Sequence, residues 1–288
     1  MKHKPSGRNV AIAILSTSLV AAAPALAEVG AIATRERVQA KQGEVDAELA
    51  KKTQNPIADL ASLPFQYNYD EKIGPTEDGK KSVLNIQPVI PFSLNQDWII
   101  ISRTIVPLID QKDSLPNGAA DESGLGDIVQ SLFFSPKKPT ERGWIWGVGP
   151  VFQLPTASED ILGTEKWGIG PTAVALKQEH GWTVGILANH IWSVAGDNDR
   201  QDVSATFLQP FLSFTTKTYT TFGVNTESTY DWKAEQWSVP VNFTVSQMFK
   251  VGPQIMSLQV GVRHWADSPP NGPEGTGYRL QLTFLFPK

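Results

Sequence analysis

The chain has 288 residues, of which 25 are basic and 29 acidic, and its formal net charge of −4 argues against a nucleic-acid partner, which needs a basic surface. It contains no cysteine, which excludes disulfides and a lipid anchor attached through that residue type. The length is compatible with a single all-β domain behind a short leader.

The first residues resemble a secretory leader. Three basic residues precede an apolar run over 10–23, and Ala25-Leu26-Ala27 follows as a small-residue cleavage pattern. The run is too short to cross a bilayer comfortably. We therefore predict a signal peptide over residues 1–27, cleaved before Glu28. Cleavage removes three of the 25 basic residues and no acidic one, so the mature chain carries about −7.

Residues 28–56 differ in composition from the rest of the chain. They are rich in Ala, Glu, Lys and Gln, which favour helix, and Val38, Val45 and Leu49 form a thin apolar stripe. Asn55-Pro56 ends the segment. We expect a short helical or flexible periplasmic extension; a plug inside a barrel or an oligomerising coil are the alternatives.

From Leu63 onward the pattern changes to one of β-strands. Residues 258–263 illustrate it, because three apolar side chains alternate with Gln259, Gly261 and Arg263. A soluble β-sandwich would show the same alternation. The twelve predicted strands are 63–73, 81–92, 97–109, 125–135, 143–154, 166–177, 181–194, 203–216, 218–230, 236–249, 255–266 and 276–287.

The breaks between these strands favour a membrane barrel over a sandwich. Breaks after odd-numbered strands are long, as at 110–123, and breaks after even-numbered strands are short, as at 178–180. Outer-membrane barrels have short turns on the periplasmic side and long loops outside. Five prolines fall inside predicted strands and predict bulges, because proline cannot donate to a strand ladder: Pro88, Pro150, Pro171, Pro210 and Pro240.

All nine tryptophans lie near predicted strand ends. An indole has an apolar body and one N–H donor, so it settles at the boundary between hydrocarbon and water. We predict two membrane-interface girdles formed by Trp98, Trp144, Trp146, Trp167, Trp182, Trp192, Trp232, Trp237 and Trp265.

Polar side chains that alternate with the apolar ones are predicted to line the barrel interior. A Lys or Arg facing lipid at mid-depth costs about 2–4 kcal/mol, which turns such residues inward. They either pair with one another and fill the interior or set the selectivity of a pore. The candidates are Asn85, Gln87, Asn225, Glu227, Asn242, Gln259, Arg263, Arg279 and Gln281.

Catalytic and metal chemistry have weak support. The four histidines are scattered without metal-ligand spacing, so we expect neither a metal nor a cofactor. His190 and Ser193 are three residues apart, which places them on opposite faces of a strand. His264 with Asp267 and Ser268, at a strand-to-loop boundary, is the one cluster that could be catalytic. We predict that the protein is not an enzyme.

Several short motifs resemble a known family. They are Asn55-Pro56-Ile57-Ala58, Leu63-Pro64-Phe65-Gln66, Leu84-Asn85-Ile86-Gln87-Pro88, Gly124-Leu125-Gly126-Asp127, Leu187-Ala188-Asn189-His190-Ile191-Trp192-Ser193 and Arg263-His264-Trp265-Ala266-Asp267-Ser268. The sequence resembles an outer-membrane transporter family of Gram-negative bacteria and is distantly similar to barrel proteins of phenol-degradation pathways. The resemblance implies an outer-membrane location and transport, without a named substrate.

Together these patterns predict an all-β protein, a transmembrane antiparallel up-and-down β-barrel of about twelve strands over residues 57–288. Its partners would be outer-membrane lipid and a small-molecule solute, with a monomer favoured. The expected function is a channel for diffusion of small polar or amphipathic solutes. The alternatives are an outer-membrane lipid hydrolase using His264 and Ser268, and a structural or adhesive barrel that binds a partner through acidic loops such as 110–122.

Overall fold

The computed structural model describes residues 47–113 and 121–287. The predicted signal peptide, residues 28–46 of the extension and 114–120 of the acidic loop lie outside the described residues. No helix in the described part of the chain has the length and apolar character needed to span a membrane. Residues 47–53 are helical, and a short 3-10 helix occupies Asp160–Leu162.

Strands account for most of the described residues. All twelve predicted strands are present, and their bounds differ from the predicted ones by at most three residues. The strands are β1 Ala61–Ile73, β2 Gly79–Ile86 with Val89–Ser93, β3 Trp98–Lys112, β4 Glu122–Leu125 with Ile128–Pro136, β5 Trp144–Leu154, β6 Lys166–Glu179, β7 Trp182–Gly196, β8 Ser204–Thr215, β9 Thr220–Thr226 with Ser228–Asp231, β10 Gln236–Val251, β11 Gln254–Asp267 and β12 Thr276–Phe286.

Each strand pairs antiparallel with its neighbours in sequence, and the sheet closes on itself. The closing contact joins β1 to β12, with Ala61 opposite Phe286 and Asn68 opposite Arg279. The result is a closed twelve-stranded antiparallel barrel. Closure removes the free strand edges that an open sheet would expose, which is a requirement for a sheet in lipid.

The five prolines lie where the ladders are interrupted. Pro88 separates the two segments of β2, and Pro240 lies at a register shift between β10 and β11. Pro150 of β5 and Pro171 of β6 lie opposite each other. Pro150 falls in a gap of the β4–β5 pairing, and Pro171 falls in a gap of the β6–β7 pairing. Pro210 lies opposite the break in β9. Interrupting the ladder at these points accommodates residues that lack an N–H.

The connections divide the barrel into two ends. Those after odd-numbered strands, which we call the long-loop end, are 74–78, 113–121, 155–165, 197–203, 232–235 and 268–275. Those after even-numbered strands, the short-turn end, are 94–97, 137–143, 180–181, 216–219 and 252–253. The predicted asymmetry is present, with 137–143 as a longer member of the short set and 232–235 as a shorter member of the long set.

The outer face of the barrel is apolar along its middle. On β11, Leu258, Val260 and Val262 are exposed while the residues between them point inward, and β7 and β12 repeat the pattern. Exposed side chains of this size form a continuous band, far beyond the isolated apolar residues of an ordinary water-soluble surface. A band of this kind around a closed barrel is the surface that lipid covers.

The inner face is polar on only part of its circumference, contrary to the expectation of a wet interior throughout. Inward side chains near the short-turn end of β3 to β7 form a buried apolar cluster. Its wall members are Ile99, Ile101, Phe133, Val174, Leu176 and Leu187, with Val89, Ile145, Phe207 and Phe211 packed against them. The inward faces of β9 to β12, β1 and β2 are mainly polar, and β4 to β6 also carry buried polar side chains such as Ser131, Gln153 and Lys166.

Residues 47–60, which we call the inner segment, pack against the inner wall. Ile57 belongs to the apolar cluster of β3 to β7. Leu49, Ala50, Ala58 and Leu60 pack instead with Met248 and Leu285 on the opposite wall. The Gln178 side chain fixes the segment by donating to the Lys51 carbonyl at 2.8 Å. The described part of the extension is therefore folded against the barrel wall, as the plug alternative requires.

Candidate functional site

The barrel encloses a cavity of about 250 Å³. The inner segment bounds it through residues 52–56, Ala58 and Leu60, and the strands supply the remaining lining. The polar wall residues are Ser62, Gln66, Gln87, Arg103, Gln209, Asn225, Glu227, Ser246, Ser257, Gln259, Arg279, Gln281 and Thr283, and the apolar ones include Val89, Phe211 and Leu285. A second cavity of about 440 Å³ lies between the inner segment and β3 to β6.

A buried ion pair crosses the polar wall. Arg279 on β12 donates from Nη1 and Nη2 to the two carboxylate oxygens of Glu227, at 2.9 and 2.7 Å. Its Nε donates to the Asn68 Oδ1 at 2.7 Å. The Arg279 side chain is only 2% exposed, so water cannot solvate its charge. The hydrogen bonds to Glu227 and Asn68 supply partners in place of water. The pair fixes the two side chains against the wall.

A second polar cluster lies nearer the long-loop end. The Asp70 carboxylate accepts a hydrogen bond from Trp265 Nε1 at 2.8 Å and lies 3.6 Å from Arg263 Nε. The Arg263 guanidinium carbon is 4.7 Å from the centre of the Trp265 ring, a cation–π geometry. Lys81 lies directly opposite Asp70 in the β1–β2 ladder. Lys81 and Arg263 thus place two cations on the same face as this carboxylate.

The third cluster is a chain of neutral amides that ends on an arginine. Arg103 Nη2 donates to Gln87 Oε1 at 3.0 Å, and Gln87 Nε2 donates to Gln66 Oε1 at 2.9 Å. Arg103 stands on β3 directly opposite Val89 of β2, at the border between the polar wall and the apolar cluster.

The structure places the nine predicted interior residues on inward-facing positions but brings only six to the cavity. Gln87, Asn225, Glu227, Gln259, Arg279 and Gln281 line it. Asn242 is fully buried and donates to Asn225 at 2.9 Å, and Arg263 belongs to the Asp70 cluster. Asn85 lies opposite Gln66 in the β1–β2 ladder.

Several interior residues were missed by the sequence reasoning, namely Gln66, Asn68, Asp70, Lys81, Arg103 and Gln209. The sequence did contain a signal for Arg103, because it is the only charged residue of β3 before Asp110. Its position two residues after Ile101 places it on the same face as the buried isoleucines. The apolar run around it concealed which face was inward.

Eight of the nine tryptophans point outward, in two belts of four. Trp98, Trp144, Trp146 and Trp182 lie at the short-turn end, and Trp167, Trp192, Trp232 and Trp237 at the long-loop end. Trp182 and Trp192 share β7, and a strand of that length at ordinary barrel tilt rises about 25 Å, the height of an apolar band.

Trp265 does not belong to the girdle, so this assignment was wrong. It shares the inward face of β11 with Arg263, and its N–H is bonded to the buried Asp70 carboxylate. An indole that faces the interior needs an acceptor for its N–H, and Asp70 supplies one inside the barrel.

The cluster proposed for catalysis does not assemble around His264. This side chain points outward, and its Nδ1 lies 3.3 Å from Thr276 Oγ1. Ser268 Oγ is buried and makes no hydrogen bond in the described structure. His190 also points outward, packed at 4.1 Å on the Trp192 ring and 2.7 Å from Thr206 Oγ1. Within residues 47–113 and 121–287, no group of His, Asp and Glu side chains has metal-binding geometry.

Comparison with known proteins identifies a family and a similar fold. Residues 82–282 match the family described as "Putative MetA-pathway of phenol degradation". The crystal structure of an outer membrane channel from Pseudomonas putida F1 superposes with a TM-score of 0.61 at 15% identity, covering 79% of this chain and 96% of that one.

Other barrels are less similar. The β-domain of the Bordetella autotransporter BrkA gives a TM-score of 0.43 at 12% identity, covering 78% of this chain and 99% of that one. Escherichia coli outer membrane phospholipase A gives 0.42 at 9% identity, covering 78% and 92%. No protein of curated function matches the sequence.

Proposed function

The chain belongs to this phenol-degradation MetA-pathway family, and from that premise we propose that it is an outer-membrane channel through which small polar or amphipathic solutes diffuse. The observation that carries the proposal is the internal cavity of about 250 Å³ inside a closed barrel. The similar fold of the Pseudomonas putida channel supports it. The apolar outer band between two tryptophan belts supports an outer-membrane location, reached by export and cleavage before Glu28.

The cavity lining favours amphipathic solutes within this range. One side offers amides and charged groups, including Gln259, Gln281 and Arg279, and the other offers Val89 and Phe211. A solute with a polar group and an apolar body can satisfy both walls at once, because an unpaired polar group and an unfilled apolar surface each weaken binding.

The inner segment sets the width of the proposed pathway. Lys52, Asn55 and Ala58 line both the 250 Å³ cavity and the 440 Å³ cavity, so the segment separates the two spaces. Solutes would pass beside this segment, and the conductance of the pore would be small. Each barrel holds its own cavity, so the proposal needs only a monomer.

Planar-bilayer recording tests the channel. The purified folded protein should give discrete conductance steps, and Arg263→Ala should shift the reversal potential in a salt gradient toward cation selectivity, because it removes an interior positive charge. Arg142→Ala removes an exposed charge from the 137–143 turn and is the matched control. Folded protein that stays silent at every voltage would refute the proposal.

A further inference from the structure

Arg103 is an interior cation that no described carboxylate neutralises by direct contact. In residues 47–113 and 121–287, its one recorded side-chain bond goes to the neutral Gln87 Oε1, at 3.0 Å. A guanidinium carries five N–H donors in a fixed fork, so most of its donor capacity is available. Arg103 lines the 250 Å³ cavity, which gives a ligand access to those donors.

Glu227, the carboxylate that also lines the cavity, is already paired with Arg279. Both carboxylate oxygens of Glu227 accept hydrogen bonds from Arg279, and this pair is charge-balanced. Among the described strand residues that line the cavity, Arg103 is then the one charged side chain without a contacting group of opposite charge. An interior guanidinium that contacts no carboxylate favours an anion that brings its own, since the planar fork of arginine matches the two oxygens of that group.

The surroundings of Arg103 select an anion with an apolar body. Val89 lies directly opposite Arg103 in the β2–β3 ladder. Val89, Phe207 and Phe211 all pack against the apolar cluster of β3 to β7. Val89 and Phe211 also line the cavity beside Arg103. A bare inorganic anion would leave these surfaces without a partner, whereas an aromatic or alkyl chain would cover them.

We propose that Arg103, with Val89 and Phe211, forms a binding site for small amphipathic carboxylates, whose carboxylate pairs with the guanidinium and whose apolar body packs on the phenyl ring. This proposal rests on the channel function above and names a solute class for it. Gln87 is a positioning residue in this site, because its bond holds the guanidinium at the cavity wall.

Calorimetry in non-ionic detergent tests the site with 3-phenylpropionate and its uncharged analogue 3-phenylpropanamide as probes. The wild-type protein should bind the carboxylate about 10- to 100-fold more tightly than the amide, the range expected for a charge-assisted pair. Arg103→Gln should abolish this preference, because the carboxylate then loses the positive charge that distinguishes it from the amide. Phe211→Ala should weaken the binding of both probes to a similar extent.

Two controls make the result decisive. Arg142→Gln removes a positive charge outside the cavity and should leave both affinities unaltered. Heat-modifiable migration on a denaturing gel establishes that each variant is a folded barrel. Equal affinities of the wild-type protein for the two probes, or an equal loss in the Arg142 and Arg103 variants, would overturn the proposal. Because binding is measured without a membrane potential, a non-conducting protein can still show the site, and a conducting one can lack it.

Discussion

At the scale of single residues, the Arg279–Glu227 ion pair is held by specific partners rather than by solvent. Arg279 is forked onto Glu227 and also bonded to Asn68, which leaves its side chain 2% exposed. Removing one member of such a pair leaves a buried charge alone, whereas removing both removes the unpaired charge as well. The energetic importance of the pair therefore appears only when single and double variants are compared.

Glu227→Gln should lower the free energy of unfolding by about 3–5 kcal/mol, because the Arg279 charge stays buried without its acid. The double variant Glu227→Gln/Arg279→Gln should recover much of that loss. Guanidinium-induced unfolding in lipid vesicles measures both, with Glu141→Gln in an exposed turn as the control. If the single and the double variants lose the same stability, the ion pair is not the reason for the loss.

Strand parity predicted the inward direction of single residues well and their partners poorly. Alternation along β12 correctly turned Arg279 and Gln281 inward. It could not pair Arg279 with Glu227, because β9 and β12 are not neighbours in the sheet. Trp265 was assigned by its depth near a strand end, although its spacing of two from Arg263 already placed both on one face.

At the scale of elements, the strands were predictable because period two and proline positions are local properties of the chain. The apolar inner wall was not. Ile99, Ile100 and Ile101 are apolar on both faces of β3, so alternation there cannot distinguish lipid from interior. The reason for an apolar interior is the inner segment, whose Ile57 packs against that wall. Such a contact depends on tertiary structure and has no local signature.

The Asp202 carboxylate ties the 197–203 loop to two barrel strands. Lys166 Nζ and Ser193 Oγ both donate to Asp202 Oδ1, at 3.1 Å each. The Lys166 hydrogen bond is the main reason that the pKa of Asp202 lies below its ordinary value of 3.8. Because the pKa is lowered in the folded state, the ionised carboxylate stabilises the loop at any pH above its ordinary pKa. This stabilisation is lost as the pH falls through the lowered pKa.

Asp202→Asn should therefore increase amide hydrogen exchange in residues 197–204 a few-fold at neutral pH, relative to the intrinsic rates. Below the ordinary pKa of Asp202, the difference between variant and wild type should shrink as the wild-type carboxylate becomes protonated. Asp199→Asn serves as the control, because it changes an exposed carboxylate of the same loop that forms no ion pair with any described residue. A difference that is independent of pH would exclude the Asp202–Lys166 contact as its source.

At the scale of the whole molecule, the two tryptophan belts define where the barrel would sit in a bilayer. Eight indoles point outward near the two ends, and Trp265 points inward to Asp70. Their spacing agrees with an apolar band about 25 Å tall. The belts and the band together fix the depth of the cavity relative to the lipid.

Brominated phospholipids test this arrangement by quenching tryptophan fluorescence at chosen depths. Bromine near the headgroups should quench the protein more than bromine near the chain ends. Trp265→Phe should leave the quenchable emission nearly unchanged, whereas Trp192→Phe should reduce it, because Trp192 faces the lipid and Trp265 faces the barrel interior. Equal losses of quenching in the two variants would show that Trp265 is not inside the barrel.

The ladder between β1 and β12 has a kinetic consequence. Ala61 pairs with Phe286, so this contact joins positions separated by nearly the whole described chain. Contacts of such high sequence separation form late, because a long loop must lose its entropy before they can stabilise it. Until that moment two long strand edges remain unsatisfied and open to mispairing. The assembly pathway must therefore protect the growing sheet until its last strand arrives.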